Sequence, residues 1–208
     1  MKISVITLHT VNNYGSALQT YATQKVLKKM GHTVEFVDYC RNDNIGEDAV
    51  DKALQSPSMK KIRRLWDWSG ASRKLIRIPL RFLLAYKRKP MQVFLKKRVN
   101  LTKHSYYSMN DLMSDVPKAD IYMTGSDQVW NSIWNKGIEK PYFLEYAPKG
   151  KKRIAFAASI GRTELSKEEI PEIAAMLKKY NSISMREDSG VKLLKNLGIK
   201  SELILDPT

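Results

Sequence analysis

One stretch limits the choice of fold more than any other. Ala119-Asp120-Ile121-Tyr122-Met123 is a short apolar run, and Thr124-Gly125-Ser126-Asp127-Gln128-Val129-Trp130-Asn131 comes directly after it. That order suits a buried strand, a tight turn at Gly125 and the first turns of a helix from Asp127 to Trp134. Glycine gives the turn its freedom, and Ser126 or Asp127 can cap the helix. In an open parallel α/β sheet this is the strand end where ligands bind, because helix N-termini point there. Taken alone, the stretch also reads as a capped turn over a buried Trp130. The same order recurs along the chain, and the recurrence sets the fold class.

Lys2 to Leu8 is a β-branched apolar run, read as the first and central strand. A polar loop, His9-Thr10-Val11-Asn12-Asn13-Tyr14-Gly15, leads into a helix over Ser16 to Met30. There Ala17, Leu18, Tyr21, Ala22, Lys25 and Leu27 keep close to a 3.6-residue period. Gly31 stands where a C-terminal cap belongs, and Thr33 to Asp38 forms a second strand. This βαβ opening lacks Gly-x-Gly-x-x-Gly, which argues against NAD or FAD. Asp38 can meet a ribose hydroxyl or simply form a turn. Further on, helices are expected over Met109–Val116, Ser166–Lys179 and up to Leu197. Extended segments are expected at Tyr142–Leu144, Lys152–Ala158, Ser182–Met185 and Glu202–Leu205.

Residues 41–103 break this alternation and read as a helical, basic insertion. Pro79 and Pro90 are placed as helix openers, since proline suits the first helical turn. From Ser58 to Lys103 there are fifteen basic residues and one acid, Asp67, so this segment carries +14 of the net +15. Its charges alternate with Trp66, Trp68, Ile76, Leu80, Phe82, Leu83, Leu84 and Phe94, and Arg73, Arg77 and Arg81 recur at four-residue spacing. Such a mixture suits a helix lying on an anionic membrane, or else a solvated face whose apolar side chains turn to the core. A nucleic-acid-binding module ranks behind both, because the segment carries no nucleic-acid motif.

The 208 residues suffice for one good-sized domain or two small ones. No apolar run reaches membrane-spanning length, and Met1–Ile6 reads as a strand instead of a signal peptide. Cys40 is the single cysteine, so the expected setting is reducing and cytoplasmic. His9, His32 and His104 are scattered, which argues against a protein-bound metal.

On a parallel sheet the C-terminal strand ends share one side. Asn12, Asn13, Tyr14 and Gly15 therefore meet Gly125, Ser126, Asp127 and Gln128, and also Ser159, Gly161, Arg186, Glu187 and Asp206. Short polar residues and helix N-termini there suit a phosphorylated or carboxylated ligand. Arg186 supplies a permanent charge in a fork that matches either group, unless it serves only as a structural ion pair with Glu187. Asp127 is a candidate base or hydroxyl acceptor. Trp130, Trp134 and Tyr14 either stack on a sugar face or fill the core.

The chain resembles the polysaccharide pyruvyl transferase family. The likeness rests on Asn12-Asn13-Tyr14-Gly15-Ser16-Ala17-Leu18-Gln19, Gly125-Ser126-Asp127-Gln128-Val129-Trp130-Asn131, Tyr142-Phe143-Leu144, Ala157-Ala158-Ser159-Ile160-Gly161, Ser184-Met185-Arg186-Glu187 and Asp206-Pro207-Thr208. These motifs stand in the family's order over nearly the whole chain. The resemblance implies an α/β fold, a Rossmann-like parallel sheet with helices on both faces. It further implies the N-terminal half of a GT-B-like two-domain fold, with the C-terminal domain outside this chain. The implied activity is transfer of a pyruvate ketal from phosphoenolpyruvate to a sugar of a cell-surface or exopolysaccharide precursor in the bacterial cell envelope. No cofactor is expected beyond phosphoenolpyruvate as donor substrate, and the saccharide acceptor is expected to be lipid-linked. Arg186 and Asp127 are the expected catalytic residues. Asn12, Asn13, Tyr14, Gly15, Gly125, Ser126, Gln128, Trp130, Asn131, Ser159 and Gly161 are the expected substrate contacts. On this reading a second half supplies a histidine and an arginine to the donor, so these 208 residues alone are expected to be inactive. The expected location is the cytoplasm, with peripheral contact at the inner membrane face through 58–103 and no nucleic-acid partner. The alternative is a nucleotide-sugar glycosyltransferase of the GT-B type.

Overall fold

The computed structural model describes residues 1–11, 13–41 and 70–208. Its centre is a seven-stranded, all-parallel sheet in the order β3-β2-β1-β4-β5-β6-β7. The strands are β1 (Lys2–Ile6), β2 (Thr33–Tyr39), β3 (Leu101–Tyr106), β4 (Ile121–Thr124), β5 (Lys152–Ala158), β6 (Ser182–Met185) and β7 (Glu202–Leu203). This is a Rossmann-like arrangement, in which chain order reverses direction between β1 and β4.

Residue alternation along the strands divides the core in two. Ile3 and Val5 of β1, Val34 and Phe36 of β2 and Met123 of β4 face one layer. That layer holds α1 (Tyr14–Lys29) and α2 (Gly70–Arg98), which bury Ala17, Leu27, Met91 and Leu95. The intervening residues Ile6, Val37 and Tyr122 face the other layer. There α3 (Met109–Ser114), α5 (Glu169–Leu177) and α6 (Asp188–Asn196) supply Leu112, Ile173, Met176, Leu177, Leu193 and Leu194. A period of two in the strands and 3.6 in the helices is what sorts these side chains.

Four sequence expectations need correction. The stretch 41–103 is not wholly helical, because β3 opens at Leu101 and pairs with β2 through Phe36↔Leu101 and Asp38↔Ser105. Pro79 and Pro90 do not open helices; both lie inside α2. Both prolines are exposed, and each ring removes one hydrogen bond of the helix. Trp66, Trp68 and the rest of 42–69 lie outside the described residues, as do the side chains of Arg73, Arg77 and Arg81. Tyr142 and Phe143 belong to a 3-10 turn, Lys140–Phe143, instead of an extended piece. Finally, the helix expected from Asp127 starts later, as α4 (Ser132–Asn135), with the Asn131 side chain accepting from Trp134 N.

Gly125 serves a different purpose from the one its sequence context suggests. It is absent from the glycines with positive φ, and a Cβ there would stand 3.2 Å from Thr7 Cβ and 3.4 Å from Val5 Cγ1. Glycine lets the β4 end pass close against β1. The strained residue is the next but one: Asp127 has φ 114°, and its backbone bridges to β5 at Ala158.

Candidate active site

The switch between β1 and β4 opens into a polar cleft of about 520 Å³. Leu8, Val11, Asn13, Gly15, Ser16 and Gln19 line it from the β1 side. Asp127, Gln128 and Trp134 come from the β4 side, and Arg186, Asp206 and Thr208 from the ends of β6 and β7. Each loop is brought there by the parallel sheet, which puts all strand C-termini on one edge.

Arg186 is the cleft's cation, with its side chain 27% exposed. Three carboxylates surround it. Asp206 lies 3.4 Å from Nη1, Glu187 3.8 Å from Nε and Asp127 3.9 Å from Nη2. None of these is a close bidentate pair, so the fork is not fully engaged by any one acid. Glu187 is instead a brace. Its Oε1 accepts from Ser159 Oγ, Ile160 N and Gly161 N, each at 2.9 Å. Asp206 is also fully occupied: Oδ2 accepts from Ser126 Oγ at 2.5 Å, and Oδ1 from Thr208 N and Oγ1. Burial works against its charge, but the bonds from Ser126 and Thr208 and the Arg186 charge outweigh that and hold its carboxyl below the usual range.

Asp127 has the most capacity to spare. Oδ1 accepts from Gln128 N at 2.8 Å and Oδ2 from Ser16 Oγ at 2.5 Å, so a carboxylate with about four acceptor positions keeps some for a ligand. Its left-handed backbone is fixed by Ser159 N, which donates to Asp127 O at 3.0 Å. A non-glycine residue in that conformation costs about 1–3 kcal/mol and persists only when its surroundings overdetermine it. Ser16 is in the first turn of α1, so Asp127 already occupies the favourable electrostatic position at that N-terminus.

The other expected contacts divide into two groups. Asn13, Gly15 and Gln128 line the cleft. Asn13 also caps α1, its Oδ1 accepting from Gly15 N at 2.8 Å. Tyr14 is well exposed beside it. By contrast, Trp130 is only 1% exposed, and Gly125, Ser126 and Ser159 are buried. Trp130 stacks on Phe143 and donates from Nε1 to Tyr142 O at 3.0 Å, so it has no free face for a sugar. Ser126 and Ser159 act through the carboxylates they bond. Asn131 is buried and bonded to Gln128 Oε1. Gly161 has φ 63°, and a Cβ there would stand 2.7 Å from Gln128 Cδ, so only glycine lets this loop lie against β4's. Asn12 lies outside the described residues.

Ser16, Gln19, Trp134 and Thr208 complete the cleft. Of these four the sequence singles out only Trp134, as a candidate stacking ring. The signal for the others is their place in the motifs after β1 and β7. Asp38 is tied up elsewhere: its Oδ1 is 2.9 Å from the buried His9 Nε2, and Oδ2 accepts from Ser105 Oγ. Burial alone would raise its carboxyl, but these bonds outweigh it and lower it. The neighbouring Cys40 thiol is pushed up to about 12 by burial, with the Asp38 charge adding to it, so it is a poor nucleophile. Among the described residues, no group of three His, Cys, Asp or Glu side chains is placed to hold a metal ion.

Sheet order, switch-point cleft and a guanidinium among acids define a Rossmann-like domain with a polar cleft at its topological switch. The model of the polysaccharide pyruvyl transferase family matches residues 13–208. The chain therefore belongs to the polysaccharide pyruvyl transferase family. A comparison with curated proteins gives no match.

Proposed function

We propose that this domain forms one wall of the active cleft of an enzyme that moves a pyruvate ketal from phosphoenolpyruvate onto two hydroxyls of a saccharide in a cell-surface polysaccharide precursor. The observation that carries the reading is Arg186 at the β1–β4 switch, with the underused carboxylate of Asp127 beside it, inside a chain of this family. The chemistry has four demands. The methylene carbon of the enol must gain a proton, one sugar oxygen must add to the resulting cationic carbon, phosphate must leave with its charge balanced, and a second sugar oxygen must take its place, each hydroxyl giving up its proton.

Asp127 is assigned to the sugar. It accepts a hydroxyl proton as the oxygen attacks, while Gln128 and Asn13 can orient the acceptor's other hydroxyls. Arg186 is assigned to the donor's carboxylate or phosphate. The described cleft offers that donor a single guanidinium, against the carboxylates of Asp127 and Asp206. A trianionic donor needs more positive charge than this single guanidinium supplies. The same reading puts the reaction in the cytoplasm, where phosphoenolpyruvate is available.

The test is product analysis with the full open reading frame that contains these residues. Labelled phosphoenolpyruvate should yield a labelled ketal on a saccharide acceptor with release of inorganic phosphate. Transfer of a sugar from a nucleotide sugar, with no ketal formed, would reject the reading. Within an active preparation, Arg186→Lys should lower turnover at least about tenfold, because a point charge does not reproduce a two-pronged contact. Unchanged turnover in a folded Arg186→Lys protein would make Arg186 a structural ion-pair residue.

A further inference from the structure

Helix α2 is the longest helix described. Its 29 residues include ten lysines and arginines and no acid. Its last turns are packed: Met91 and Leu95 are buried with α1 and β2, Phe94 meets Tyr21 edge-on at 5.6 Å, and Gln24 Nε2 donates to Arg98 O. Upstream, Ile78, Phe82 and Tyr86 recur at four-residue spacing, and Lys89 and Val93 continue the same stripe. All five are exposed, Phe82 by 73% and Tyr86 by 75%, and Leu83 beside them is exposed as well. Apolar side chains at Ile78, Phe82, Leu83, Tyr86 and Val93 thus face solvent on the same helix as the exposed Lys89, Lys96 and Lys97.

We propose that this stripe is a peripheral membrane-binding surface, occupied by anionic lipid. Two features favour lipid over other polyanions. Ile78, Leu83 and Val93 are aliphatic and gain nothing from a phosphate backbone or from base stacking, but they do gain from insertion at the headgroup boundary. The exposed Lys89, Lys96 and Lys97 supply the second, electrostatic signal that reversible anchoring requires. Among the described residues no helix is long and apolar enough to cross a membrane, so contact is at the surface.

Geometry ties the surface to the cleft. Only Val99 and Asn100 separate α2 from β3, so the helix returns alongside the parallel strands and runs opposite to them. Ile78 then lies about 20 Å from Met91 along the axis, roughly the length of a strand in this sheet. The stripe is carried toward the strand C-termini, the edge on which the cleft opens. A lipid-linked saccharide would meet the cleft from that side. The lipid contact itself does not rest on the assigned chemistry, and its test reads partition instead of turnover.

The purified chain is sedimented with vesicles of phosphatidylcholine alone and with vesicles that also contain phosphatidylglycerol, at low and at high salt. The expected result is at least about tenfold stronger binding to the anionic vesicles, weakening as salt rises. Phe82→Glu with Tyr86→Glu should reduce that binding at least about tenfold, and so should Lys89→Glu with Lys96→Glu and Lys97→Glu. These side chains are exposed, so both variants should keep the parent's thermal midpoint. Equal binding to the two lipids, binding to neither, or binding unchanged in both variants overturns the proposal. Tighter association with duplex DNA than with anionic vesicles at the same salt overturns it in favour of nucleic acid.

Discussion

Replacing Trp130 by alanine is expected to cost the fold about 3–5 kcal/mol, the usual range for removing a buried large aromatic side chain. Trp130 is among the largest fully buried side chains described. One face stacks on Phe143 at 5.6 Å and 17°, and Tyr180 meets it edge-on at 5.7 Å. The indole N–H donates to Tyr142 O, which Thr124 Oγ1 also reaches at 2.9 Å. Truncation leaves a cavity lined by rings that cannot close it, and removes one of three donors to Tyr142 O in the 3-10 turn. Trp130→Phe keeps most of the apolar volume and loses the N–H, so it should cost about 1–2 kcal/mol. Denaturant unfolding of the two variants checks both values. A loss under about 1 kcal/mol for the alanine variant, with ligand binding abolished, would show that Trp130 serves a substrate and not the core.

The sequence makes six of the seven strands legible, among them β6 at Ser182–Met185 and the exposed edge strand β7. β1, β2, β4 and β5 are apolar runs, because helices cover both sides of the sheet there. β3 is not legible: Leu-Thr-Lys-His-Ser-Tyr lies at the sheet edge with its middle residues exposed, so no apolar pattern marks it. Pro79 and Pro90 mislead as boundary signals of α2, since both lie inside it and context overrides local propensity there. In the cleft, topology alone groups the polar residues after each strand. It does not say what each one does. Ser126 and Trp130 stand four apart in one motif, yet one bonds Asp206 and the other fills the core. Glu187 reads as a partner for Arg186, but it accepts its main bonds from the Ser159 hydroxyl and two backbone N–H groups after β5, a contact between residues 26 to 28 positions apart. Nothing local in the sequence marks the positive φ of Asp127 either, because the neighbouring strand imposes it.

Asp127→Asn is expected to lower turnover about hundredfold or more in an active preparation, the range for removing a positioned general base. The substitution isolates the proton-accepting role. An asparagine oxygen can still accept from Gln128 N, and Ser16 Oγ can turn to accept from the new amide. The backbone makes the exchange mild, since asparagine is among the non-glycine residues best suited to φ near 114°. Removing one negative charge near Arg186 should also leave donor binding intact or tighter. The expected signature is therefore a fall in kcat with KM for phosphoenolpyruvate unchanged or lower, and a thermal midpoint close to the parent's. If kcat holds while KM for the acceptor rises, Asp127 orients a hydroxyl without taking its proton. If both constants hold, the base lies elsewhere and Asp127 is only the residue that joins α1, β4 and β5.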